Sequence, residues 1–476
     1  MICGMLIFCI YAVLFAEKIP VHNGLGWDGL LYARVIKSFD HHFSGTEFQQ
    51  YTVGRMLPLL IIYYSMKIFN IALTDQNIVW QFQILNSVLI ILSVYLWVRI
   101  ATRLNLTPTG MWLGFVALFV NFAILKNAFY YPVNLDPFTF FLGLSLLLSF
   151  LGRNSVAMFV LSVVGAFVSP TMVFFGLTLF IFKLHELDRA PLRFKLNYIV
   201  AGLICMAVLG GIIYILYSTR FILKVETVEP INTLIPISMA SLLVFLFILF
   251  SHLLNTDSLF RFRNLLRSIT VLKLILAAGT LLAVQLMVRR LGTPNPEHYQ
   301  TSTYLKTILK LSIAKPFIGI ISFVIWFGPA IFLAVINWKK LSEEIHKYGY
   351  GLLFFFCGFL LLFLDSESRH TVLIYPFLCA FTLKSLDRVQ LNKYFIVTFV
   401  LLSVIFSKIW LPINPIPEEP GNLWEFPMQK YFMNVGPWMS NQPYAVQGAG
   451  ILFSFVVLFY VTKMRTSAKL KTSLAL

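Results

Sequence analysis

Three segments of this chain hold ionisable side chains at spacings that could support chemistry. The first, HNGLGWDGLLYARVIKSFD, places Asp28 about a dozen residues beyond an apolar run. A carboxylate there can take a proton from a hydroxyl held at a membrane surface, or it can simply cap the helix that follows. Asp40, His41 and His42 close the same segment. They fit a solvated helix end better than a metal site, because adjacent histidines point in different directions. The second segment, KNAFYYPVNLDPFTFF, sets Asp136 before Pro137, a good helix-start pair that again allows capping or catalysis. Its neighbours Phe129, Tyr130 and Tyr131 are suited to stacking on a sugar ring, or equally to an interfacial aromatic belt. The third, LFLDSESRHTVLIYPFL, packs Asp365, Glu367, Arg369 and His370 into one short turn between apolar runs. Four ionisable groups at membrane depth are costly without a charged partner. An anionic phosphate is a suitable one, since Arg369 can hold it with two parallel hydrogen bonds; a salt-bridged turn open to water is the other reading. Arg55 in YTVGRMLPLL and Lys126 add cations that can contact a donor phosphate or snorkel to lipid phosphates.

The elements that must position these groups are apolar. Of 476 residues, 59% are hydrophobic and 12% charged, against about 25% charged in a soluble domain. Apolar runs give about thirteen or fourteen segments able, or nearly able, to cross a bilayer, so the expected fold is an all-α polytopic membrane protein. The net charge of +17 sits in short connections between the runs, which makes it a topology signal and not a nucleic-acid footprint. The five cysteines lie inside apolar runs with no CxxC pair, so neither disulfides nor a zinc site is expected.

The first run, Ile2 to Ala16, is short and has no basic residue ahead of it; it is read as a first span in preference to a cleaved signal peptide. With the N-terminus cytoplasmic, the inside connections carry 20 basic residues against 6 acidic, and the C-terminal tail is also cytoplasmic. That pattern requires the run from Ser155 to Phe182 to break at Ser169-Pro170 into a short hairpin. It also requires Met56 to Met66, too short to cross, to lie in the interface or re-enter. Leu31, Val35 and Phe39 share a helical face opposite Arg34 and Lys37, the pattern of a helix lying on a membrane surface. The expected organisation is a transmembrane region over residues 1–411, including a structured outer loop at 17–77. An outer loop follows at 412–446, then a last span with a basic tail at 447–476. Residues 289–315 form a further outer segment, and no internal repeat is visible.

In order along residues 1 to 385, GWDGLLYARVIKSF, GRMLPLL, KNAFYYPVNLDPFTFFLGLSLLL, GAFVSPTMVFFGLTLFIF and ESRHTVLIYPFL resemble the GT-C superfamily of integral-membrane glycosyltransferases. WDGLLY is similar to the Trp-Asp start of the first luminal loop in mannosyltransferases of GPI-anchor synthesis and their bacterial relatives. The chain departs from the family in two places. The SPT hairpin lacks the arginine of the threonine-arginine-proline segment, and Asp28 is followed by Gly29 where many members have a second acid. The resemblance implies inverting transfer of a sugar from a polyprenyl-phosphate donor to a glycan, lipid or protein hydroxyl, on the outer face of a bacterial inner membrane or of the endoplasmic reticulum. It casts Asp28 as base and Arg369 as principal phosphate ligand, with Arg55, Lys126, Tyr131, Glu367 and His370 around the substrates. Asp136 would orient the acceptor or hold a divalent cation, for which oxygen ligands favour Mg or Mn. A transporter or lipid flippase is the main rival; it would show repeats and mid-membrane polar groups, whereas the spans hold little beyond Lys273 and Gln285. A glycan polymerase or ligase is a second alternative.

Overall fold

Proline, glycine and buried amide side chains, more than apolar length, decide where these helices stop. In the computed structural model, described over residues 1–41, 48–187, 195–220, 223, 230–256, 259, 261–294, 301–387, 392–414 and 441–473, the chain is all-helical, with no strand among the described residues. Among the described residues, five helices are long and apolar enough to cross a membrane: Asp75–Arg103, Leu196–Ser218, Asn232–Leu253, Val271–Leu291 and Tyr444–Val461. Two bent pairs raise the number to seven. Of the thirteen or fourteen expected segments able, or nearly able, to cross, five to seven have the length and composition of full spans. Seven other apolar helices, among them Ile2–Phe15 and Asp136–Leu151, have 10–17 residues. At 1.5 Å per residue they span less than the roughly 30 Å of a hydrocarbon core.

The breaks have local causes. Ser169 is extended and Pro170 opens the next helix, so the 155–182 run does divide, into Ser155–Gly165 and Pro170–Ile181. The helix Pro108–Phe119 stops where the Asn121 side chain captures the Ile124 N–H at 3.1 Å, and the following segment turns by 52°. The run from 316 to 337 divides at Gly328, which holds φ +76°. Tyr375 repairs two of these ends: its hydroxyl reaches the carbonyls of Ala117 at 2.7 Å and Phe327 at 3.0 Å, and its ring stacks on Phe327 with centroids 4.1 Å apart.

Packing centres on Asp75–Arg103, which lies against Asp136–Leu151 and Ile2–Phe15, and on Tyr375–Asp387, which lies against Pro108–Phe119. Gly114 lets the Trp97 indole approach, where any Cβ would fall 1.9 Å from the ring. In contrast, Val271–Leu291 leaves Leu272, Ile275, Leu282 and Leu286 bare. Uncovered apolar helices of this kind are compatible with a multi-pass membrane protein.

The Gly26–Ser38 helix corrects the surface-helix expectation. Val35 and Phe39 are buried, not against an open membrane face but in a cluster with Leu59, Ile62 and Met66 of the helix Met56–Ile68 and with Ile78 and Phe82. Arg34 and Lys37 stay exposed, and Lys37 pairs with Asp75 at 2.6 Å. Asp40 accepts from Tyr63 at 2.5 Å and from Lys67 at 3.0 Å, so it is engaged in an ion pair; His42 lies outside the described residues. Residues 301–313 of the outer segment are helical, Thr301–Ile313, and most of the 412–446 loop lies outside the described residues. The final helix runs over Asn441–Ser473, well past the expected span.

Candidate functional site

The segment leading to Asp28 is a tight turn of left-handed residues. His22 and Asn23 have φ of 49° and 55°, followed by Gly24 at 92° and Gly26 at 69°. At Gly26 a Cβ would fall 2.4 Å from the Tyr131 ring, and at Gly29 it would fall 2.8 Å from Val133. The helix start is thus pressed onto the 131–133 strip, and the Gly29 N–H donates to the Tyr131 hydroxyl at 3.1 Å. Asp28 lies in the first turn of this helix, within electrostatic reach of Tyr131. Its partners are Arg369 and Tyr51, so it does more than cap its own helix.

Arg369 comes from the short 3-10 turn Ser368–Thr371, 341 residues further along the chain. One edge of its guanidinium meets Asp28, Nη2 to Oδ2 at 2.8 Å, while Nε meets Glu367 Oε1 at 2.7 Å. Both Asp28 and Arg369 side chains keep 22% exposure, so the pair is reachable. The turn braces itself: the Glu367 N–H donates to Asp365 Oδ1 at 3.0 Å, and Asp365 Oδ2 lies 2.6 Å from His370 Nδ1. Glu367 Oε2 is 3.9 Å from His370 Nε2.

Behind Asp28 lies Arg55, whose guanidinium stacks 3.8 Å over the Tyr51 ring and donates to the Tyr51 carbonyl at 3.0 Å. The Tyr51 hydroxyl bonds both to Asp28 and to Tyr32. Asp136 sits at the first turn of Asp136–Leu151, within electrostatic reach of Arg369, His370 and Glu367. The Asn134 side chain holds it twice: Nδ2 donates to Asp136 Oδ2, and Oδ1 accepts from the Asp136 N–H, both at 3.0 Å. Asp136 lines a cavity of about 10 Å³ with Asn121, Phe140, Phe327, Val372 and Tyr375, room for about one water.

Electrostatics follow from this packing. Burial pushes the Asp28 carboxyl up, but Arg369, with Arg55 and the Tyr51 hydroxyl, outweighs it and leaves Asp28 below the ordinary aspartate value. Burial pulls His370 down, and the Glu367 and Asp365 carboxylates more than reverse that, so His370 ends above its ordinary value. Buried Tyr32 and Tyr131 are raised well above the usual tyrosine value, chiefly by desolvation.

Of the residues singled out in the sequence, Asp28, Arg55, Asp136, Glu367, Arg369 and His370 are brought together. Lys126 is spent elsewhere, on Glu17 and on the Leu411 carbonyl at 2.9 Å. Tyr131 is buried with its ring edge-on to Trp27 at 6.0 Å, and Phe129 and Tyr130 are fully buried. The three rings are therefore packed inside the protein, neither an interfacial belt nor an open sugar platform. Sequence reasoning missed Tyr51, Tyr32 and Asn134. Tyr51 had a usable signal, since it stands four residues before Arg55, on the same side of one helical turn. Compared with known protein families, with curated proteins and with solved structures, the chain matches none.

Proposed function

We propose that this protein is a membrane glycosyltransferase that moves a sugar from a polyprenyl-phosphate donor to a hydroxyl of a glycan, lipid or protein acceptor at the extracytoplasmic face. The observation that carries the proposal is Arg369, held between Asp28 and Glu367 with Asp136 and His370 beside it, at the ends of apolar helices. A phosphate carried on a lipid arrives at that level, and a partly exposed guanidinium can exchange a carboxylate partner for phosphate oxygens. Once Arg369 engages the phosphate, Asp28 loses its strongest cation and regains basicity. The acceptor hydroxyl then attacks the anomeric carbon and its proton passes to Asp28. The bond from that carbon to the phosphate oxygen breaks, and the electron pair leaves on the phosphate, beside Arg369 and His370. Asp136, fixed by Asn134, is placed to orient the acceptor.

The test is transfer from radiolabelled polyprenyl-phosphate sugars in vesicles containing the full chain. Asp28→Asn and Arg369→Gln should each lower transfer by about 100-fold or more, the scale of losing a general base or a charge-stabilising donor. Wild-type rates in both variants, at equal expression, would overturn the assignment.

A further inference from the structure

We infer that the residues around Asp28 do not fit a divalent cation and that Arg369 supplies the positive charge facing the leaving phosphate, so that this site transfers its sugar without a metal. This rests on the transferase proposal above and concerns how that same site meets the leaving phosphate.

A Mg2+ or Mn2+ ion requires several oxygens converging on one point at roughly 2.0–2.2 Å, with room for water and substrate oxygens. Four carboxylates are near enough to be considered, and each is already committed. Asp28 and Glu367 grip two sides of the Arg369 guanidinium at 2.8 and 2.7 Å. Asp365 is divided between His370 and the Glu367 N–H. Asp136 accepts from the Asn134 amide. A cation between Asp28 and Glu367 would have to displace the guanidinium, and Arg55 adds a second positive charge behind Asp28. Among the described residues no group of three His, Cys, Asp or Glu side chains is arranged to hold a metal.

Position 29 gives an independent argument. Gly29 follows Asp28, so no second carboxylate stands beside it, and a side chain at that position would be obstructed. A Cβ at Gly29 would fall 2.8 Å from Val133 Cβ and 3.1 Å from the Val133 carbonyl, and only part of that obstruction is movable side chain. The residues present therefore do not fit a divalent cation. They fit a guanidinium, which supplies both positive charge and paired N–H donors to the phosphate.

Two measurements on the full chain in lipid nanodiscs decide the matter. Titration with Mn2+, followed by electron paramagnetic resonance, should show no saturable site that depends on Asp28 or Asp136. Transfer measured in excess EDTA should stay within about twofold of transfer in Mg2+ or Mn2+, because no Lewis acid is being removed. A saturable Mn2+ site abolished by Asp28→Asn or Asp136→Asn would overturn the inference, as would EDTA inactivation reversed by Mg2+ or Mn2+. If no polyprenyl-phosphate sugar is transferred in either buffer and no such Mn2+ site exists, the transferase proposal falls while the metal-free assignment of the cluster stands.

Discussion

Gly29 and Val133 are so close that a methyl group on the glycine would sit 2.8 Å from the Val133 Cβ. This contact fixes how deeply the Gly26–Ser38 helix seats and so where Asp28 meets Arg369. Gly29→Ala should destabilise the protein by about 1–3 kcal/mol, the usual cost of overpacking a tight site. Adding Val133→Gly, which removes the obstructing Cβ, should recover part of that loss. Thermal unfolding of the single and double variants in detergent checks both, and purely additive losses would show that the two positions do not touch.

Much of the site was legible in the sequence because polar groups stand out in an apolar chain. The turn at 365–370 and the Asp28 and Asp136 segments are conspicuous for that reason, and Pro170 marks its own helix break. The pairing of Asp28 with Arg369 was not legible, since no local pattern links residues 341 apart. Nor was the destination of the face that carries Val35 and Phe39. An apolar stripe reads the same whether lipid or another helix covers it, and here Leu59 and Ile62 do. The bend after Phe119 depends on one Asn121 side chain outcompeting the helical hydrogen-bond ladder, which run-length counting does not register.

The raised His370 and lowered Asp28 set the pH behaviour. A carboxylate held below its ordinary 3.8 stabilises the fold above that pH and loses its contribution as pH falls through the lower, folded value. A histidine held above 6.5 contributes fully below pH 6.5 and loses its contribution as pH rises through the higher, folded value. Transfer should accordingly decline on the alkaline side, above pH 6.5, as His370 loses its proton. Asp365→Asn, which removes the carboxylate 2.6 Å from His370 Nδ1, should move that limb to lower pH and leave the rate on the acid side largely unchanged. A pH–rate profile shows whether the limb moves; a limb that stays in place would mean another group governs it.

Tyr375 should matter for stability. Its hydroxyl serves the carbonyls of Ala117 and Phe327, which the helix breaks leave without their usual partners. Tyr375→Phe keeps the stack on Phe327 but strands the buried Phe327 carbonyl, while the Ala117 carbonyl keeps the Asn121 Nδ2 donor at 3.1 Å, at a cost of about 1–3 kcal/mol. Unfolding in detergent measures the loss, and a neutral result would indicate that water takes the place of the hydroxyl.

Tyr51 separates two ways of controlling Asp28. Its ring carries the Arg55 guanidinium at 3.8 Å, while its hydroxyl bonds directly to the Asp28 carboxylate. Tyr51→Phe removes only the hydroxyl, so Asp28 should titrate higher while Arg55 stays in place; transfer should fall by about tenfold, the value of one hydrogen bond to a charged group. Tyr51→Leu removes the ring as well and frees Arg55 from its platform, so its loss should exceed that of Tyr51→Phe by a further factor of about five, the scale of an exposed cation–π contact. Steady-state kinetics distinguish the two. If the variants lose equal activity, the ring does not position Arg55, and if Tyr51→Phe is fully active, the hydroxyl does not tune the base.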